Sequence, residues 1–200
     1  MNILFVAAHV DDIELGAAGF LSKMIDKANC RVIIFSDCEE QPGNKGITEE
    51  FFKSMETLGV KDYVLHHFTN TRFPQEAHEI RKVLDNEKIT FNPDIVVTHY
   101  NETFHQDHKT VSEECIRVFR TSSILMYEDM KSVENFAPNL IVSLTREQLD
   151  KKKAALRCYE TQSKRYYCDP NLIESLAHVR GKQMNVEFGE AFKVHRFIYK

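Results

Sequence analysis

Two clusters of titratable residues stand out in the 200-residue chain: His9-Val10-Asp11-Asp12-Ile13-Glu14 near the start, and His99 followed by His105-Gln106-Asp107-His108 near the middle. Imidazole nitrogens and carboxylate oxygens are the donors of a catalytic zinc site, which takes three protein ligands and keeps a fourth position for water. His9, Asp12 and His108 supply such a set. His9 and Asp12 lie three apart on a strand-to-helix turn, a spacing that lets both side chains face one point, while His108 enters from a neighbouring loop at the head of a helix. Asp11 cannot point the same way as Asp12 and is free to face water. A divalent metal lowers the pKa of a water it holds to about 7, and a nearby carboxylate can take the proton and pass it to a leaving amine. Asp11 is therefore the candidate general base. His105, if protonated, would stabilise an oxyanion or protonate the leaving nitrogen, and Asp107 would orient a ligand histidine. Zinc is the expected ion, with Fe2+ as the alternative.

These residues need elements to position them. Residues 3–8 form an apolar run that reads as a buried strand, followed by Ile13, Ala17, Phe20, Leu21, Met24 and Ile25 at helical spacing. Strands are expected at 32–35, 63–65, 95–98 and 124–127, and helices at 48–58, ended by Gly59, at 75–89 and at 109–120. The remainder predicts a strand at 140–143, a helix at 145–158, a helical segment after Pro170 and a final strand at 192–199. Strands that read as continuous apolar runs, separated by helices, argue for a Rossmann-like three-layer αβα sandwich with a mostly parallel central sheet. In such sheets ligands sit beyond the carboxyl ends of the strands where strand order reverses, commonly between the first and fourth. Both clusters follow those strands. Either cluster alone reads as helix caps and surface histidines; their convergence on one rim is what favours chemistry.

Composition narrows the class. The chain is 42% hydrophobic and 28% charged, with few Pro and Gly, which predicts one globular domain over 1–200. A net charge of −4 with scattered Lys and Arg gives no basic footprint, so nucleic acid is not an expected partner. Five cysteines, odd in number and without a Cys-x-x-Cys pair, fit a reducing cytoplasm. No positive charge precedes the first apolar run and no stretch is long enough to span a membrane. Arg72, just past the third strand, is a candidate to grip a phosphate or sugar hydroxyls, and Glu39, after the second, to bind a hydroxyl. Cys38 reads as a structural thiol, and the aromatics Tyr166-Tyr167 as a contact in a homo-oligomer.

The motifs resemble the PIG-L or LmbE-like N-deacetylases, a family that includes deacetylases of glycosylphosphatidylinositol, mycothiol and bacillithiol synthesis. The family's Ala-His-Pro-Asp-Asp-x-Glu stands here as Ala8-His9-Val10-Asp11-Asp12-Ile13-Glu14, and its His-x-Asp-His as His105-Gln106-Asp107-His108. Lys153-Ala154-Ala155-Leu156 with Tyr159 and Gln162, Arg180-Gly181, and Gly189-Glu190-Ala191-Phe192 resemble later family segments. Val10 replaces the usual Pro, and Cys38 stands where a Gly often precedes the Glu of that loop. The resemblance implies zinc on His9, Asp12 and His108, Asp11 as base, His105 stabilising the tetrahedral intermediate, and Arg180 in a segment closing over the site. It implies hydrolysis of an N-acyl group on a small sugar-like substrate. The rivals are phosphoester hydrolysis, which a two-metal site with more carboxylates would serve better, and a non-catalytic module holding a sugar nucleotide.

Overall fold

Residues 3–8 carry no polar side chain, so the first strand is stable only where both of its faces are covered. The computed structural model, which describes residues 1–199, places it inside a seven-stranded sheet. Along β1 (Asn2–His9), Ile3, Phe5 and Ala7 face one apolar layer and Leu4, Val6 and Ala8 the other, as the two-residue repeat of a strand requires. The sheet runs in the order β3 (Tyr63–Leu65), β2 (Asn29–Ser36), β1, β4 (Ile95–His99), β5 (Ser123–Tyr127), β7 (Phe188–Arg196), β6 (Leu140–Leu144). The first five in this order are parallel, and β7 is antiparallel to both β5 and β6. The mostly parallel, helix-covered sheet expected from the apolar runs is the one that forms; the antiparallel pair is an addition at one edge.

One layer of the core is filled from α1 (Asp12–Gly16), α2 (Ala18–Met24), α3 (Ile47–Leu58) and α6 (Arg146–Leu156), through side chains such as Ile13, Phe20, Phe51 and Ala155. The other is filled from α4 (Phe73–Thr90) and α5 (Gln106–Val118), through Phe73, Ile80, Leu84, Val111 and Cys115. A smaller cluster joins α7 (Pro170–Lys182) to β6 and β7. The first helical run is two helices, because the backbone at Ala17 leaves the helical region (φ −143°). The N–H groups of Gly19 and Phe20 that this break exposes donate to the Glu190 carboxylate, at 3.1 and 2.6 Å, and Lys152 Nζ pairs with the same group at 2.6 Å. A carboxylate at a helix start meets the orphan donors and the positive end of the dipole together. Helix α6 starts one residue later than its sequence pattern indicates, since Thr145 closes a capping box with Gln148 instead of joining the helix.

Strand order reverses between β1 and β4, and His9 and His99 end those two strands. Gly16, the last residue of α1, lies against the buried Tyr127 ring so closely that a Cβ would overlap it. Gly16→Ala is expected to destabilise the fold by about 1–3 kcal/mol through overpacking, read as a lower denaturant midpoint at unchanged m-value.

Candidate active site

The turn after β1 is built around a strained residue. Asp11 sits in the left-handed region at φ 79°, where a non-glycine residue is uncommon and is retained only when its surroundings hold it. Its N–H donates to the Tyr159 hydroxyl at 3.3 Å, and its carbonyl accepts from Leu15 N–H at 2.9 Å. The turn folds Asp12 back so that its Oδ2 accepts from His9 N–H at 2.9 Å. On the other side, His105 is the N-cap of α5: its Nδ1 accepts from Asp107 N–H at 3.3 Å, which leaves the ring's proton on Nε2. The first turn of α5 then carries Asp107 and His108 inward, both buried.

Three donor atoms from the two clusters meet in a near-equilateral triangle. His9 Nδ1 lies 3.3 Å from His108 Nε2, and Asp12 Oδ2 lies 3.4 Å from each of them. A tetrahedral ion with ligand bonds of about 2.0–2.1 Å has edges of roughly 3.3–3.4 Å, so this triangle has the size of one face of such a site. Two overlapping sets, His9 with His105 and His108, and Asp12 with His99 and His108, also bring ligand atoms within 4.8 Å of one another.

The outer nitrogens of both triangle histidines are held by carboxylates. His9 Nε2 is 3.1 Å from Asp107 Oδ2, which also accepts from Thr71 N–H at 2.7 Å, while Asp107 Oδ1 accepts from Phe73 N–H at 3.3 Å. His108 Nδ1 is 3.0 Å from Asp129 Oδ2 and 3.3 Å from Ser132 Oγ, and Ser132 in turn donates to Asp129. Below the triangle, His99 stacks on His108 at 3.9 Å, with its Nε2 accepting from Ala8 N–H at 2.9 Å and lying 3.5 Å from Asp12 Oδ2.

The charge balance of the site favours a cation. Burial works against a proton on His9, yet Asp107 and Asp12 outweigh it and raise the imidazole to about 9. Burial also pushes Asp12 up, but His108, Lys131 and His99 together bring it well below the usual carboxylate range. Asp11 is raised, mainly by burial. A set of N and O donors that draws a proton into its own centre is suited to a divalent ion at the same place. His105 is the opposite case: burial, then the neighbouring His108 and His9, lower it to about 4, so at neutral pH it is a neutral N–H donor. The protonated form expected from its position is thus disfavoured by burial beside two other imidazoles.

A cavity of about 380 Å3 opens above these strand ends, with Asp11, His105, Lys131 and Cys38 in its wall and Phe104 and Tyr166 at its mouth. Asp11 lines it and Asp12 does not, as expected for neighbours facing opposite ways. Tyr166 and Tyr167, read from sequence as contacts between copies, both border this cavity. Three residues expected to touch substrate lie elsewhere. Arg72 is the exposed N-cap of α4; Glu39 spends its carboxylate on Gly46 N–H (2.6 Å), Thr48 N–H and Thr48 Oγ; and Arg180 pairs with Glu128 over the Phe136 ring. Each is held by a local partner or faces solvent, and none borders the cavity.

Other residues of the site escaped the sequence reading. Lys131, half-buried among acids, stands 2.7 Å from Asp12 Oδ1 and donates to Asp11 Oδ1 at 3.2 Å. The first contact is too oblique to be a hydrogen bond and acts as an ion pair. Burial opposes its charge, but Asp11, Asp12 and Asp129 hold the ammonium well above its ordinary range. Asp129, Lys131 and Ser132 follow β5, so the carboxyl-end rule that located the other clusters also covers them.

Behind the turn, Glu14 Oε1 accepts from Ser54 Oγ at 2.5 Å and from the Tyr159 hydroxyl at 2.8 Å, while Oε2 is buried without a partner. Burial raises this carboxyl from 4.5 to about 7. Because the folded pKa lies above the unfolded one, its contribution to stability is complete below pH 4.5 and is lost as pH rises to about 7. The shift corresponds to about 3 kcal/mol at most. Glu14→Gln is expected to flatten the fall in unfolding free energy between pH 4.5 and 7, measured by urea titration across that range; an unchanged slope would remove the assignment.

Comparison with known proteins places this geometry. The chain is 28% identical over 172 residues to the uncharacterized deacetylase YaiS of Escherichia coli K12, covering 80% of this chain and 91% of that protein. In structure it is similar to the N,N'-diacetylchitobiose deacetylase of Pyrococcus horikoshii (TM-score 0.77, 20% identity, 96% of this chain and 83% of that one). It is similar as well to GalB, the 4-carboxy-2-hydroxymuconate hydratase of Pseudomonas putida KT2440 (TM-score 0.78, 17% identity, 100% and 98%). At these identities the two structures show a shared fold, and a fold that carries both a deacetylase and a hydratase leaves the reaction to be argued from the site. Residues 4–119, more than half of the chain and holding both clusters, match the family described as GlcNAc-PI de-N-acetylase. The chain belongs to that family, PIG-L.

Proposed function

We propose that this chain is a zinc-dependent hydrolase that removes an N-acetyl group from an amino sugar or sugar conjugate. The observation that carries the reading is the triangle of His9 Nδ1, Asp12 Oδ2 and His108 Nε2, sized for one divalent ion, with the Asp11 carboxylate beside it in the cavity wall. Family membership and the deacetylase names of two relatives support it. A divalent ion bound there would lower the pKa of a water and polarise the amide carbonyl.

The chain's own residues supply the rest. Asp11 takes a proton from the attacking water and returns it to the leaving nitrogen as the C–N bond breaks, so that water supplies the new acetate oxygen and the amine leaves neutral. The neutral His105, with its proton on Nε2, donates a hydrogen bond to the carbonyl oxygen as charge grows there. Asp107 and Asp129 fix the ring orientation of His9 and His108. The aromatic faces of Phe104 and Tyr166, 70% and 67% exposed, with the amides of Gln41 and Asn70, offer apolar planes and hydroxyl partners suited to a sugar.

Zinc-loaded protein is expected to release acetate from at least one member of a panel of N-acetylated sugars, sugar nucleotides and thiol glycosides, and to lose that activity to a chelator. Asp11→Asn should keep one ion per chain while turnover drops about 10²- to 10⁴-fold. Wild-type protein that binds no divalent ion would falsify the reading, and full turnover in Asp11→Asn would dismiss Asp11 as base.

A further inference from the structure

The loop after β5 reaches over the triangle from the solvent side and touches two of its three members. Asp129 and Ser132 hold His108 Nδ1. Between them, Lys131 sends its ammonium to Asp12 Oδ1 at 2.7 Å and to Asp11 Oδ1 at 3.2 Å, above the Tyr167 ring at 5.1 Å. Its own N–H donates to Asp129 Oδ1 at 3.0 Å, so the side chain leaves from an anchored backbone. The two oxygens of Asp12 are thereby divided: Oδ2 faces His9 Nδ1 and His108 Nε2, and Oδ1, which has no hydrogen-bond donor among the described residues, faces Lys131.

We propose that Lys131 is a positioning residue that keeps Asp12 a one-oxygen ligand and holds Asp11 at a fixed separation from it. The proposal rests on the metal-dependent reading above. A free carboxylate can bind a metal through one oxygen or both. An ammonium on Oδ1 makes the two-oxygen mode costly, since the ion would have to compete with it for that atom, and so preserves the open position that a catalytic site requires. The same ammonium lies between two adjacent carboxylates whose like charges would otherwise push them apart. Nothing in the two metal-site motifs calls for a lysine here; it arrives from a separate loop, and no reacting atom needs to touch it.

The test uses the whole chain loaded with Co2+ as a spectroscopic probe and with Zn2+ for turnover. Lys131→Met removes both the charge beside the ion and the guard on Oδ1. It is expected to bind Zn2+ roughly tenfold more tightly, to show a weaker visible Co2+ absorption as the coordination number rises, and to lose roughly 10- to 100-fold in kcat with KM changed much less. Lys131→Arg, which keeps a cation able to reach both carboxylates, should restore the wild-type Co2+ spectrum. A Co2+ spectrum unchanged in Lys131→Met would overturn the proposal. So would metal affinity that falls together with the thermal stability of the metal-free chain, the mark of a merely structural lysine. Failure of the wild type to bind either ion sinks the metal-dependent reading itself, and is seen before any variant is compared.

Discussion

Four carboxylates, those of Asp11, Asp12, Asp107 and Asp129, are buried within reach of one another at the reversal point of a parallel sheet. So much negative charge in a low-dielectric setting is tolerable only with positive charge among it. The rest of the site can be read as the answer to that requirement. Two imidazoles each bridge a carboxylate and the central triangle, one ammonium spans two carboxylates, and the proposed divalent ion would add positive charge at the centre.

Three of the four carboxylates are tied to secondary structure by a backbone donor. Asp12 takes the N–H of His9, Asp107 those of Thr71 and Phe73, and Asp129 that of Lys131. The ligand geometry is thus set by the ends of β1, α4, α5 and the loop after β5, and errors in side-chain placement are limited by the stiffness of those elements. Tyr159 instead fixes the Asp11 backbone from the far side of the turn, its hydroxyl accepting from Asp11 N–H and donating to Glu14. Glu14, part of the first motif, therefore acts on the site through packing and hydrogen bonds and not as a donor to the triangle.

The sheet and the convergence of the two titratable clusters were legible because they obey short-range rules. An uninterrupted apolar run must be a strand covered twice, and residues just past such strands share one rim. The triangle followed from two segments read in that way. What could not be read depended on distance in the chain. Lys131 is an ordinary-looking lysine in Glu128-Asp129-Met130-Lys131-Ser132, and only the fold shows that its ammonium ends between Asp11 and Asp12. The same limit explains Arg72, Glu39 and Arg180. Each is plausible by type and position, but Glu128 takes the charge of Arg180, Thr48 that of Glu39, and Arg72 faces solvent. The pairing direction of β7 was hidden because Phe188–Arg196 carries Glu190, Lys193, His195 and Arg196 and lacks the uninterrupted apolar run that marks the parallel strands.

The residues that meet over the triangle come from two stretches of chain with different burdens. His9, Asp11, Asp12, His105 and His108 lie within the span that matches the family, whereas Asp129, Lys131, Ser132, Tyr166 and Tyr167 lie beyond it. The earlier stretch supplies the triangle and the Asp11 carboxylate beside it. The later one supplies one side of the cavity wall, facing Gln41, Asn70 and Phe104 of the earlier stretch, and adds the charge of Lys131. Division of labour of this kind lets the roof be redesigned while the floor is left alone. A library confined to Gln162, Arg165 and Tyr166, which border the cavity and touch no member of the triangle, could alter what enters without altering the atoms at the centre.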